Sequence, residues 1–150
     1  MNYQKILVAV DFSAMAEKVL AQAESEARLH NAELTLLHVF DTQIMDLQLP
    51  EELLPSSLEM VQRLRILAQE RLETLQQSIG IPSQSVLLEK SGGIGRHICA
   101  YAAEHEHDLI ILGSQDQGSI GRLLLGSVAT AVVHHAHCPV LVVKTTQTIN

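Results

Sequence analysis

The chain has 150 residues, of which 47% are hydrophobic and 18% charged, enough apolar side chain for a core that needs no disulfide or metal staple. Seventeen acidic against ten basic residues give a net charge of −7, and the aromatics are two tyrosines and two phenylalanines. That balance argues against a nucleic-acid partner, which calls for a basic face and aromatic platforms, and the apolar fraction argues against disorder.

The first apolar run, Ile6 to Val10, ends at Asp11. It is too short for a secretory core or a bilayer span of roughly 20 residues, so a cytoplasmic location with no membrane attachment is expected. Cys99 and Cys138 are far apart with no CxxC, which gives neither a disulfide framework nor a zinc ribbon.

In chain order, Lys5–Val10 (KILVAV) reads as a strand buried on both faces, because it is apolar without alternation. Ala16, Leu20, Ala23 and Ala27 then recur at helical spacing. Glu33–Phe40 (ELTLLHVF) is the second strand, and Asp41 to Pro55 is irregular, the place for a lid or a partner-contacting loop. A long helix follows, with Leu58, Val61, Leu64, Ala68, Leu72, Leu75 and Ile79 as its predicted buried stripe, and Gly80-Ile81-Pro82 stops it. Ser85–Glu89 is a strand, and Ile94, Ile98 and Ala102 mark a helix. Asp108–Gly113 is a strand, Val128, Ala131 and Val132 mark the last helix, and Pro139–Lys144 is the fifth strand. Strict β-α alternation predicts one α/β domain over 1–150, an open parallel sheet with helices on both faces.

Ligands in such sheets sit at the carboxyl ends of the strands. The first of these, Asp11-Phe12-Ser13-Ala14-Met15, holds no glycine, which excludes the GxGxxG mode of NAD or FAD. Asp11 either accepts hydrogen bonds from a base or ribose, or caps the next helix together with Ser13. Ser91-Gly92-Gly93-Ile94-Gly95 is similar to the SGGxDS loop of pyrophosphate-cleaving ATP enzymes. It lies after the wrong strand, however, and has Gly95 in place of the aspartate, so a strand-to-helix turn is the better reading. Gly113 to Ser127 (GSQDQGSIGRLLLGS) is glycine-rich and leads into a helix N-terminus that favours an anion, with Ser127 as the alternative N-cap.

His134, His135, His137 and Cys138 have the composition of a metal site. Neighbouring helical residues point about 100° apart, so His134 and His135 do not converge on one ion. A helix C-terminus closed by histidines is the better reading, and no protein-bound metal is expected. No GxSxG elbow and no spaced carboxylate pair identifies a catalytic group.

Gly113-x2-Asp116-x9-Gly126-Ser127, with ILVAVDFS at Ile6–Ser13, LLHV at Leu36–Val39, DLIILGS at Asp108–Ser114 and CPVLVV at Cys138–Val143, resembles the universal stress protein family over nearly the whole chain. The resemblance implies a Rossmann-like doubly wound five-stranded sheet in the order 3-2-1-4-5. It also implies a homodimer, through the last strand Val140–Val143, and an ATP-binding stress-response module that is non-catalytic or at most a slow ATPase. Nucleotide-binding members use G-x2-G-x9-G-[ST]. By that resemblance Ala9, Val10, Asp11 and Val39 would flank adenine and ribose, and Gly113 the ribose and phosphates. Asp116 would stand beside the phosphates, which Gly126, Ser127, Val128 and Ala129 would hold.

Asp116 departs from the pattern, since it replaces the second glycine. A carboxylate ~4 Å from a phosphate charge costs roughly 1 kcal/mol in water and about 4 kcal/mol at an effective dielectric of 20. With Mg²⁺ present, Asp116 would instead help to ligate the ion. The expectation is weakened ATP binding, and the alternative is a dimerising interaction module whose degenerate pocket does not bind ATP. Counted by segment, residues 1–108 carry −8 and residues 109–150 carry +1. Asp116 is the sole carboxylate of that second stretch, counted against the two basic residues Arg122 and Lys144.

Overall fold

A strand with both faces apolar must be covered on both faces, and the chain meets that demand by alternation. The computed structural model describes residues 2–43, 52, 54–114 and 125–144. In it β1 (Lys5–Ala9), α1 (Ala16–His30), β2 (Glu33–Asp41), α2 (Leu54–Gln77), β3 (Gln84–Lys90), α3 (Ile94–Glu104), β4 (Leu109–Gly113), α4 (Ser127–His135) and β5 (Val140–Val143) follow one another. All strand pairings are parallel and the order is β3-β2-β1-β4-β5. This is the Rossmann-like, doubly wound architecture expected, with element ends shifted by a residue or two.

Successive residues of the central strands serve opposite cores. Ile6, Val8, Val10, Leu109 and Ile111 pack with Val19, Leu20, Ala23 and Ala27 of α1 and with Leu72 and Ile79 around the end of α2. Leu7, Ile110 and Leu112 turn the other way, onto Ile98, Cys99 and Ala102 of α3 and Ala129 and Val132 of α4. An apolar run without alternation is therefore two interleaved half-cores, each fully desolvated Leu or Ile contributing about 1.5–3 kcal/mol. Burial also pushes the Cys99 and Cys138 thiols up, so both are held protonated and act as small core hydrophobes.

Polar groups close the chain around these cores. Asp108 accepts the N–H groups of Gln4 and Lys5 at 2.8 and 2.9 Å, which ties the start of β1 to the start of β4. α1 ends on Asn31 in the left-handed region (φ 51°), whose N–H returns to the last turn. At the other end of α1, Ser13 and Asp11 build the approach while Met15 occupies the N-cap. The capping expected of them falls one turn early, as Ser13 Oγ accepts from the Met15 N–H at 3.3 Å.

The predicted stripe of α2 needs correction at its first turns. Val61, Ala68, Leu72 and Ile79 are buried, but Leu58 and Leu64 are 50% and 40% exposed. A helix of 24 residues is about 36 Å long, longer than the strands it covers, so its first turns overhang the sheet. Among the described residues no helix is long and apolar enough to cross a membrane.

α3 and α4 approach closely because Gly95 has no side chain. A Cβ there would stand 2.5 Å from the Ala131 Cβ and 3.0 Å from the Val128 carbonyl oxygen. Gly95→Ala is expected to force the two helices apart and to cost about 1–3 kcal/mol, read as a lowered midpoint in thermal or urea unfolding.

Candidate functional site

Strand order reverses direction between β1 and β4: the chain leaves β1 for β2 on one side and reaches β4 on the other. The loops at the carboxyl ends of these two strands diverge there and leave a crevice. The crevice is a hollow of about 130 Å³. That is near the roughly 150 Å³ of an engineered cavity that accepts one benzene ring.

β1 contributes Ala9, Val10 and Asp11 to its wall, and β2 contributes Leu37, His38 and Val39. Gly113 closes it from β4, and Val128 and Ala129 from the first turn of α4. Seven of the ten residues named from the sequence thus share one cavity. Ser127 lines a second hollow of about 330 Å³, which shares Ile94 and Val128 with the first and is bounded also by Asp41, Gly92 and Arg96. Asp116 and Arg122 lie outside the described residues.

The N-cap of α4 is not Ser127, the capping alternative. Gly126 is the N-cap, with extended backbone (φ −61°, ψ 163°), and Ser127 is the first helical residue. Among the described residues no side chain caps α4, and the helix dipole adds positive character at its start. The Gly126 N–H donates to the Ser114 carbonyl at 2.9 Å, and the Ser114 N–H donates to the Val143 carbonyl at 2.9 Å. The start of α4 is thereby fixed to the ends of β4 and β5.

His38 was not among the expected site residues, although it stands inside the LLHV motif. Its signal is a lone imidazole in an apolar strand. Nδ1 lies 2.8 Å from the Val10 carbonyl oxygen, which requires the Nδ1–H tautomer as donor. The ring packs at 4.1 Å on Phe12, and the Arg71 guanidinium lies 5.7 Å from the other aromatic centre, that of Phe12. Burial holds the His38 pKa below its ordinary value, against smaller opposing effects of the Val10 carbonyl and Asp11. The imidazole in the cavity wall is therefore neutral at pH 7.

A third hollow lies at the opposite pole, about 480 Å³, between Tyr3, His107 and Cys138. His107 is 3% exposed, and neither ring nitrogen has a hydrogen-bond partner among the described residues. Burial lowers its pKa, Lys5 and His105 lower it further, and the nearby Ala102 carbonyl opposes without reaching hydrogen-bonding geometry. His134, His135 and His137 are exposed, and no group of three or more His, Cys, Asp or Glu able to hold a metal occurs among the described residues.

Comparison with known proteins places this geometry in context. The family model described as Universal stress protein family matches residues 2–144. The chain is 33% identical over 144 residues to a Thermus aquaticus protein described as a universal stress protein, covering 95% of this chain and 99% of that one. It is similar in structure to the universal stress protein UspA from Lactobacillus plantarum, with a TM-score of 0.74, 28% identity and coverage of 95% and 99%. It also resembles a universal stress protein from Archaeoglobus fulgidus in complex with dAMP, with a TM-score of 0.64, 26% identity and coverage of 95% and 98%.

Two sheltered histidines, His107 buried and His38 half-buried, give the fold an acid-sensitive component. Their folded pKa values lie below the unfolded value of about 6.5, so the unfolded chain binds more protons as pH falls. Stability present at neutral pH is lost as pH drops below about 6.5 through the folded pKa values. The thermal midpoint is expected to fall between pH 7.5 and 5.5. His107→Leu removes two unsatisfied buried nitrogens, so it is expected to leave stability at pH 7.5 equal or higher and to flatten the pH dependence. A marked loss of stability at pH 7.5 would show that the His107 ring has a partner.

Proposed function

Because the chain belongs to the universal stress protein family, we propose that it is a stress-response module that binds an adenine nucleotide in the crevice between β1 and β4. The observation that carries this reading is the adjacency of two features. A cavity the size of one ring shares Ile94 and Val128 with a hollow lined by Ser127, at the start of α4, where no side-chain cap occurs among the described residues. A planar base suits the apolar inner wall, and a phosphate suits free N–H groups at a helix N-terminus. The dAMP complex of the Archaeoglobus fulgidus relative supports the same ligand class.

In this reading Asp11 and Val39 flank the base and ribose beside Ala9 and Val10, and Gly113 meets the ribose. Gly126, Ser127, Val128 and Ala129 receive phosphate. ATP with Mg²⁺ is one candidate ligand, with Asp116 either repelling the phosphates or ligating the ion. The module acts in the cytoplasm by occupancy rather than by turnover. It works as a homodimer through β5, an edge strand whose Val140, Leu141 and Val142 remain half-exposed and are best protected by pairing. The second reading, a dimerising module with a degenerate pocket, draws its support from Asp116 in place of a glycine.

Calorimetric titration with AMP and with ATP plus Mg²⁺ separates the two readings. Saturable binding below millimolar is expected. Ala9→Leu, which adds three carbons to the cavity wall, is expected to abolish that binding while the circular dichroism spectrum is kept. Absence of binding by the unmodified protein would favour the degenerate pocket. In sedimentation velocity the protein is expected to run as a dimer, and Val142→Lys as a monomer. A dimer unaffected by that change would move the interface away from β5.

A further inference from the structure

We infer that the crevice selects its ligand by charge, taking a nucleoside monophosphate in preference to a triphosphate, with Asp41 as a specificity-determining residue. The inference rests on the nucleotide reading above and concerns how many phosphates the site accepts.

Among the described residues the inner hollow has no lysine or arginine in its wall, and its one carboxylate is Asp11. The outer hollow carries one of each sign, Asp41 and Arg96. Positive potential otherwise comes from the starts of α1, α3 and α4, about half a charge each. Among the described residues these and Arg96 offer roughly two and a half positive charges, of which Asp11 and Asp41 cancel two. A dianion held by short-range hydrogen bonds at Ser127 is compatible with that balance. Each further phosphate must enter a hollow whose remaining wall includes a carboxylate.

Asp41 also occupies donors that a polyphosphate would use. Its Oδ1 accepts the Gly92 N–H at 3.0 Å and the Gln43 N–H at 2.9 Å. Gly92 and Gly93 are both in the left-handed region, with φ of 65° and 59°, in the turn that opens α3. Consecutive N–H groups in such a turn form a concavity suited to an anion. Here the protein's own carboxylate is the anion. Asp11 does the same at the entrance of α1, where it accepts the Ser13 N–H at 3.1 Å. Of the entrances of α1, α3 and α4, that of α4 is the one with no carboxylate at its threshold among the described residues.

The turn requires an acceptor at position 41 but no charge, so Asp41→Asn keeps the hydrogen bonds and removes the repulsion. Binding of AMP and of ATP is measured by calorimetry in EDTA on the full chain and on this variant, at low and high salt. The unmodified protein is expected to bind AMP about tenfold more tightly than Mg²⁺-free ATP, with the ratio shrinking as salt screens the carboxylates. Asp41→Asn is expected to tighten ATP several-fold and AMP by less. ATP binding as tight as AMP in the unmodified protein, or a ratio that Asp41→Asn leaves unchanged, overturns the charge filter while leaving nucleotide binding intact. Binding of neither nucleotide by the unmodified protein removes both the filter and the reading beneath it.

Discussion

Every part of this structure answers to one constraint, the need of a five-stranded parallel sheet to be covered on both faces. β1 and β4 are central and have residues with no exposure at all, so helices must lie above and below them. Parallel strands require a crossover for each connection, and right-handed crossovers from β1 to β2 and onward place the helices in two pairs. Those crossovers all leave from the same pole. The pocket is a consequence of this arrangement: where neighbouring crossovers depart to opposite faces, between β1 and β4, no chain is left to fill the space. Folding the sheet and opening the crevice are the same event.

What the sequence made legible follows from that constraint. Strands buried on both faces are conspicuous as apolar runs, and KILVAV and DLIILG are of that kind. Residues 6–8 and 109–112 are indeed buried throughout. The strand order and the cavity residues were legible through the family resemblance, because no local pattern says which strand lies beside which. The stripe of α2 was only half legible. Periodicity records which residues share a face, but not whether the sheet extends far enough to meet that face, so Leu58 and Leu64 were assigned to a core that ends before them. His38 escaped because its role depends on a tautomer and on a carbonyl 28 residues away. Ser127 was taken as a possible cap because side-chain chemistry favours serine there, whereas the backbone places glycine at that point.

Charge in this chain has the same two-sided character as its apolar residues. The acidic excess lies outside the last forty-two residues. Part of it has local structural work: Asp108 ties two strands, and Glu24 binds Arg28 and the Gly80 N–H, which hold its pKa below the usual range. Asp11 and Asp41 belong to this group, since each organises a turn. Their positions at the carboxyl pole give the same carboxylates an influence on any anion that approaches. Stabilising a turn and setting the electrostatic character of the crevice are in this fold two effects of one side chain.

The hydrogen bond from Gly126 to Ser114 has a further consequence for how such a protein changes over generations. It joins the two margins of the glycine-rich segment directly, so strand and helix are held in register by residues outside the segment. The junction of β4, β5 and α4 therefore rests on main-chain groups, and any residue other than proline at 114 or 126 supplies the same donor. A lineage can change those side chains and keep the junction. The neighbouring Asp41 turn offers no such freedom, because there the acceptor is a side chain on which the Gly92 and Gln43 N–H groups both depend.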